Sequence, residues 1–138
     1  MAIDTIVGLK AKMPLATAAG TSVADLHDLI DTLEDRTTQS LIPVTAAYGV
    51  SLLDNRRKVI VNAASPVTVT LPSNTPAGFE LIVVQTGAGA AVISATGGAV
   101  LSRDNHTRTA GQNAVSFLFC VSNAGAAPQI ILTGDTAP

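Results

Sequence analysis

The chain has 138 residues, 47% of them hydrophobic and only 13% charged, with a formal net charge of −2. Soluble domains carry roughly 25% charged residues, so this length holds one ordinary domain plus an appendage, its surface either covered by Thr, Ser, Asn and Gln or buried against partners. The negative balance offers no basic field to neutralise phosphates, which argues against nucleic acid as a partner, and no apolar run of about 18 residues is present to span a membrane.

Residues 1–21, opening "MAIDTIVGLKAKMPLATAAG", fit neither a helical nor a strand period well and read as an extended arm or a short helix followed by a linker. A basic segment followed by an apolar one is missing there, so no secretory signal is expected. The arm nevertheless carries Ile3, Ile6, Val7, Leu9, Met13 and Leu15. A free disordered tail is depleted in such residues, so they are expected to anchor the arm to a partner surface, the alternative being an arm tucked along its own β head.

Residues 22–38, opening with "SVADLHDLIDTLEDRT", carry the one clear 3.6-residue period. Ser22 is a good N-cap, Asp25 can reach back in the manner of a capping box, and acids crowd the first turns where the helix dipole favours them. Val23 and Ile30 fall at heptad positions a, Leu26 and Leu33 at d, and Leu29 widens the stripe at g. A helix of two heptads needs outside support, which leaves two readings: it packs on its own sheet, or on copies of itself through Val23, Leu26, Leu29, Ile30 and Leu33. Pro43 prevents any continuation.

Residues 39–57 read as a connector, whose stretch "LIPVTAAYGVSLL" could also cover a sheet face. The cluster Arg56-Arg57-Lys58 is local and reads as the solvated start of a strand. From residue 58 the period changes to 2, and residues 58–138 are expected to form the β head. "KVIVNA", "PVTVTLP", "FELIVVQ", "AAVISA", "AVLS", "NAVSFLFCVS" and "PQIILT" are β-rich runs separated by turn chemistry such as "SNTPAG" and "NAGAA". Short strands at this spacing with no helices between them predict a mainly β fold, an antiparallel sandwich or jelly-roll-like head. A parallel sheet lacks its crossover helices.

Alternation within the strands carries a second message. Val67, Val69 and Leu71 share one face and Thr68 and Thr70 the other, the pattern of a sheet wet on one side. "FELIVVQ" and "NAVSFLFCVS" are apolar on both faces: Phe79, Leu81 and Val83 against Ile82 and Val84, and Val115, Phe117, Phe119 and Val121 against Ala114, Leu118 and Cys120. Such strands need a second covering layer, from this chain or from another.

Catalytic constellations are sparse. Ser102, Asp104 and His106 share one loop, whereas triads converge from separated segments, and two residues do not make a closed metal site. His27 has no His or Cys at ligand spacing. Cys120, inside "FLFCVS", reads as a small buried hydrophobe, and as the single cysteine it forms no intrachain disulfide. Gly87-Ala88-Gly89 lacks the third glycine and the helix of a dinucleotide fingerprint. No catalytic residue, metal or cofactor is therefore expected.

The order of arm, "AAGTSVADLHDLIDTLEDR" helix and "VTVTLPSNTPAGFELIVVQTGAGAAVISATGGAVLS" followed by "TAGQNAVSFLF" resembles the virion fibre and decoration proteins of tailed bacteriophages over most of residues 20–122. The resemblance implies a non-enzymatic structural protein, a capsid decoration or head fibre, assembled in the bacterial host cytoplasm and carried on the virion. It also implies a homotrimer that contacts the major capsid protein or another virion protein, although Val and Ile at a with Leu at d would by themselves favour two strands. A receptor- or carbohydrate-binding tail-fibre module is the alternative. Such a module should present aromatic side chains on exposed loops, and the chain has only Tyr48, Phe79, Phe117 and Phe119, three of which are expected in the core.

Overall fold

The computed structural model describes residues 26–30, 33 and 41–138, and the chain divides into two compact units, Met1–Ser40 and Leu41–Pro138. In the first, residues 26–30 and 33 are helical, inside the span that the 3.6-residue period predicts. Val23 and the arm residues Ile3, Ile6, Val7, Leu9, Met13 and Leu15 lie outside the described residues.

The second unit is mainly β, with strands β1 (Leu41–Val44), β2 (Tyr48–Gly49), β3 (Arg57–Val61), β4 (Val67–Leu71), β5 (Glu80–Gln85), β6 (Ala91–Ala95), β7 (Ala99–Leu101), β8 (Arg108–Thr109), β9 (Val115–Asn123), β10 (Pro128–Gly134) and β11 (Thr136–Ala137). They form a six-stranded sheet in the order β1-β3-β5-β9-β10-β7 and a five-stranded sheet in the order β11-β8-β6-β4-β2. One apolar core joins them: Val59, Val61, Leu81, Leu118 and Ile130 from the first sheet pack with Val69, Leu71 and Ile93 from the second. The two-layer β architecture is the one the strand pattern predicts.

Strand direction departs from the antiparallel expectation. The β1–β3, β3–β5, β2–β4, β4–β6 and β7–β10 pairs are parallel, while β5–β9, β9–β10, β6–β8 and β8–β11 are antiparallel. The reason lies in the crossover. A parallel pair needs a long return segment, usually a helix, but here the chain alternates between the sheets from β1 to β6, so the return segment of each parallel pair among these six strands is a strand of the facing sheet. The first six strands thus wind as a flattened coil. The β9–β10 hairpin then fills the six-stranded sheet between β5 and β7.

The coil also corrects the expected boundary of the head. Residues 41–57 are no connector, because β1 pairs with β3 and β2 with β4 in parallel register. The β unit begins at Leu41 rather than at residue 58.

Backbone hydrogen bonds run around the coil corners. Thr86 N donates to Val61 O (2.8 Å), Gly89 N to Ala63 O (2.8 Å), and Thr96 N to Leu71 O (2.9 Å). One turn therefore lies directly on the backbone of the turn before, which is what Gly87 and Gly89 provide: a Cβ on Gly87 would stand 2.4 Å from Ala63 O, and one on Gly89 2.0 Å from Ser65 O. These glycines, unassigned by any dinucleotide motif, are spacers for stacked backbone.

A fully satisfied polar cluster lies inside the same corner. Gln85 and Thr109 are buried. Gln85 Nε2 donates to Gly87 O (3.0 Å) and Ala88 O (3.3 Å), Thr109 Oγ1 donates to Gln85 Oε1 (2.5 Å), and Ala91 N donates to Thr109 Oγ1 (2.9 Å). The amide ties the β5–β6 turn to β8 in the other sheet, and each buried polar group finds a partner, as burial demands.

At another corner the 3-10 turn Leu52–Asp54 is closed by a capping box on Ser51. Buried Asp54 accepts from Ser51 N (2.8 Å) and from Tyr48 Oη (2.6 Å) through Oδ2. Burial first, then the hydrogen bond to Asp54 and its charge, push the Tyr48 phenol up to about 12 from 10.0. The folded state therefore holds this proton between pH 10 and about 12 while the unfolded chain releases it, so the stabilisation is complete below pH 10 and is lost as pH rises toward 12. Tyr48 is the one tyrosine and there is no tryptophan, so phenolate absorbance reports on it alone. We expect a midpoint near 12 in buffer and near 10 in denaturant, with an alkaline loss of stability of about 1–2 kcal/mol after solvent screening that Tyr48→Phe removes. A native midpoint near 10 would contradict this.

Candidate functional site

The pleat of each strand sends alternate side chains to the core and to the outside, and the register of the two sheets defines two outer faces of very different chemistry. On the five-stranded sheet, Gly49, Thr70 and Ser94 lie in one row and Thr68, Val92, Arg108 and Ala137 in the next. This is a hydroxyl-rich face of the kind that meets water.

The outer face of the six-stranded sheet is apolar. Pro43, Ile60, Val84 and Val115 form one row across four strands. Leu41, Lys58, Ile82, Phe117 and Thr133 form the next, and Glu80, Phe119, Ile131 and Leu101 the third. Beyond it Val121 is the extra residue of a bulge, where Gln129 pairs with Ser122 and Ile130 with Cys120. Phe117 and Phe119 are 47% and 39% exposed, and Leu41, Leu101 and Val121 are exposed as well. Charges on this face are few: Lys58 and Glu80 lie on neighbouring strands, and Arg56 Nε stands 3.8 Å from Glu80 Oε2 at the rim.

This arrangement corrects the expected place of the aromatics. Phe79 is buried and Tyr48 half-buried, but Phe117 and Phe119 point outward while Ser116, Leu118 and Cys120 point inward. The register decides it: Leu118 stands opposite Leu81 and Leu132, both of which face the core, so the neighbouring phenylalanines fall on the other side. Cys120 is buried, as its apolar setting predicts. That β5 and β9 are apolar on both faces was legible in their alternation; which side faces the core was not.

Of the residues predicted for the helical seam, Leu26, Leu29 and Leu33 are exposed, at 38%, 55% and 47%, and Ile30 is half-buried. The loop residues Ser102, Asp104 and His106 do not assemble a nucleophile and a base. Ser102 Oγ donates to the His106 carbonyl (3.0 Å), while the His106 ring places Nδ1 3.0 Å from Thr136 Oγ1. A cleft of about 220 Å³ lies beside this loop, lined in part by Ser102, Asp104, Leu132 and Thr136. A second, open depression of about 490 Å³ is formed by Ala110–Ala114 and Gly134–Thr136, where Asp135 Oδ2 accepts from Val115 N (3.2 Å). Among the described residues, no three His, Cys, Asp or Glu side chains are gathered as for a metal ion, and no helix is long and apolar enough to cross a membrane.

No protein-family model, curated protein or solved structure matches the chain.

Proposed function

We propose that the chain is a structural protein of a tailed-bacteriophage virion, a homotrimer that grips the particle through its N-terminal region and carries the β unit as a capsid decoration or head fibre. The carrying observation is the exposed stripe Leu26, Leu29 and Leu33 at seam spacing. Apolar residues so arranged on a short helix gain most by meeting the same stripe on other copies, because a two-heptad helix is marginal alone. The resemblance of residues 20–122 to virion fibre and decoration proteins supplies the setting, and the stacked backbone of the β coil suits a part whose work is mechanical. The partner on the particle is the major capsid protein or another virion protein, reached by the arm that carries Ile3, Ile6, Val7, Leu9, Met13 and Leu15. Several arms on one oligomer bind with avidity, so weak single contacts suffice.

Mixing the protein with particles that lack it tests the reading by co-sedimentation. The full chain is expected to pellet with the particles, and a chain without residues 2–20 to stay in the supernatant. Undiminished binding by the shortened chain would exclude the arm as anchor, and failure of the full chain to bind would exclude the virion assignment.

A further inference from the structure

The geometry points to the outer face of the six-stranded sheet as the surface through which copies of this chain meet. The inference rests on the self-associating reading above and adds to it a second, larger interface centred on Phe117, Phe119 and Ile82. Three observations select a copy of the same chain as the occupant.

The first is area. A fully exposed aromatic or large aliphatic side chain presents about 150–200 Å², so the exposed fractions along this face leave on the order of 500 Å² of apolar surface on one side of one sheet. A standard interface buries about 800 Å² per partner, a little over half of it apolar. The face thus carries about the apolar area that a stable complex needs, at the upper end of what an ordinary monomer leaves bare.

The second is charge. Lys58 and Glu80 face outward two residues apart in register, with Arg56 beside Glu80 at the rim, so the face carries few charges, of both signs. A strongly acidic or basic partner would find nothing complementary here.

The third is the position of the aromatics. The order β1-β3-β5-β9-β10-β7 puts β5 and β9 at the centre of the sheet, where Ile82 and Phe117 stand side by side, with exposed Leu41 and Leu101 on the edge strands. Aromatic anchors at the centre of an apolar patch are the anatomy of an interface. The width suits a threefold arrangement as well. Six strands at about 4.8 Å spacing span about 24 Å, and three such walls closed into a triangle stand about 7 Å from their common axis, within reach of a central phenylalanine. The hydroxyl-rich face of the other sheet is then left toward water.

Site-specific cross-linking of the full chain tests this. Phe117→Cys and, on the opposite sheet, Thr68→Cys are each treated with a short bismaleimide at a concentration where light scattering gives the mass of the unmodified protein. Cys120 is buried and contributes little background. Cys at 117 is expected to give covalent pairs at least tenfold faster than Cys at 68, and urea is expected to abolish the difference. Should Phe117→Cys fail to fold, Val121→Cys presents a thiol on the same face. An oligomeric mass with equal or negligible cross-linking at 117 and 121 would overturn the face and leave the helix as the contact. A mass near 14.0 kDa would overturn both readings, and covering of the face by the arm of the same chain would show as a protected thiol in that monomer.

Discussion

Gly89→Ala is expected to lower the stability of the β unit by about 3–4 kcal/mol, a fall in melting temperature of about 15 °C for a unit of this size. The added methyl has nowhere to go. Its carbon would stand 2.0 Å from Ser65 O, 2.3 Å from Ser65 C and 2.8 Å from Ser65 N, all backbone atoms of the turn beneath. Relief requires the β5–β6 turn to lift from the β3–β4 turn, and lifting stretches the hydrogen bond from Gly89 N to Ala63 O. The same movement disturbs the Gln85 amide that holds Gly87 O and Ala88 O, so buried polar groups lose partners as well. Gly111→Ala is the control, since nothing lies within 4 Å of its Cβ position, and it should change stability by less than about 0.5 kcal/mol. Urea unfolding of both variants at one fixed protein concentration measures the difference. Equal midpoints would mean that the turns are not stacked as described.

Leu26→Asp is expected to weaken self-association by more than 100-fold while leaving the β unit folded. A carboxylate placed in an apolar seam must lose water without gaining a partner, at a cost of about 3 kcal/mol, and each 1.4 kcal/mol is a factor of ten. The acids already flanking the stripe, Asp25, Asp28 and Asp31 among them, add like-charge repulsion. Leu26 belongs to the unit Met1–Ser40, so the core of Leu41–Pro138 should keep its own unfolding transition. Light scattering over a dilution series, read beside a circular dichroism melt, gives both quantities. A variant that keeps its mass but melts earlier would place the helix against its own chain and remove the seam. Together with the cross-linking at position 117, this separates a helix contact from a sheet contact, because each variant perturbs one and spares the other.

The sequence alone determined the elements. Period-2 runs bounded by Gly, Pro, Asn and Ser place β3 to β7, β9 and β10 to within about two residues, because alternation and turn chemistry are local and survive any tertiary arrangement. It also marked β5 and β9 as strands apolar on both faces. The very short strands β2, β8 and β11 are too brief to carry a period, and β1 was obscured by Pro43, which argues against a strand interior. Strand direction was not legible either, since a period of 2 is the same read up or down. Length and the missing helix argued for hairpins, whereas the crossovers are strands of the facing sheet, a relation that exists only once two sheets close on one core. The choice between the Phe117 and Leu118 faces was likewise tertiary: both sets are apolar, and only the pairing of Leu118 with Leu81 and Leu132 sends one inward. Composition recorded a shortage of charge; the fold gathered its consequence onto one side of one sheet, because register lines up in one row residues that lie up to 92 positions apart, from Leu41 to Thr133.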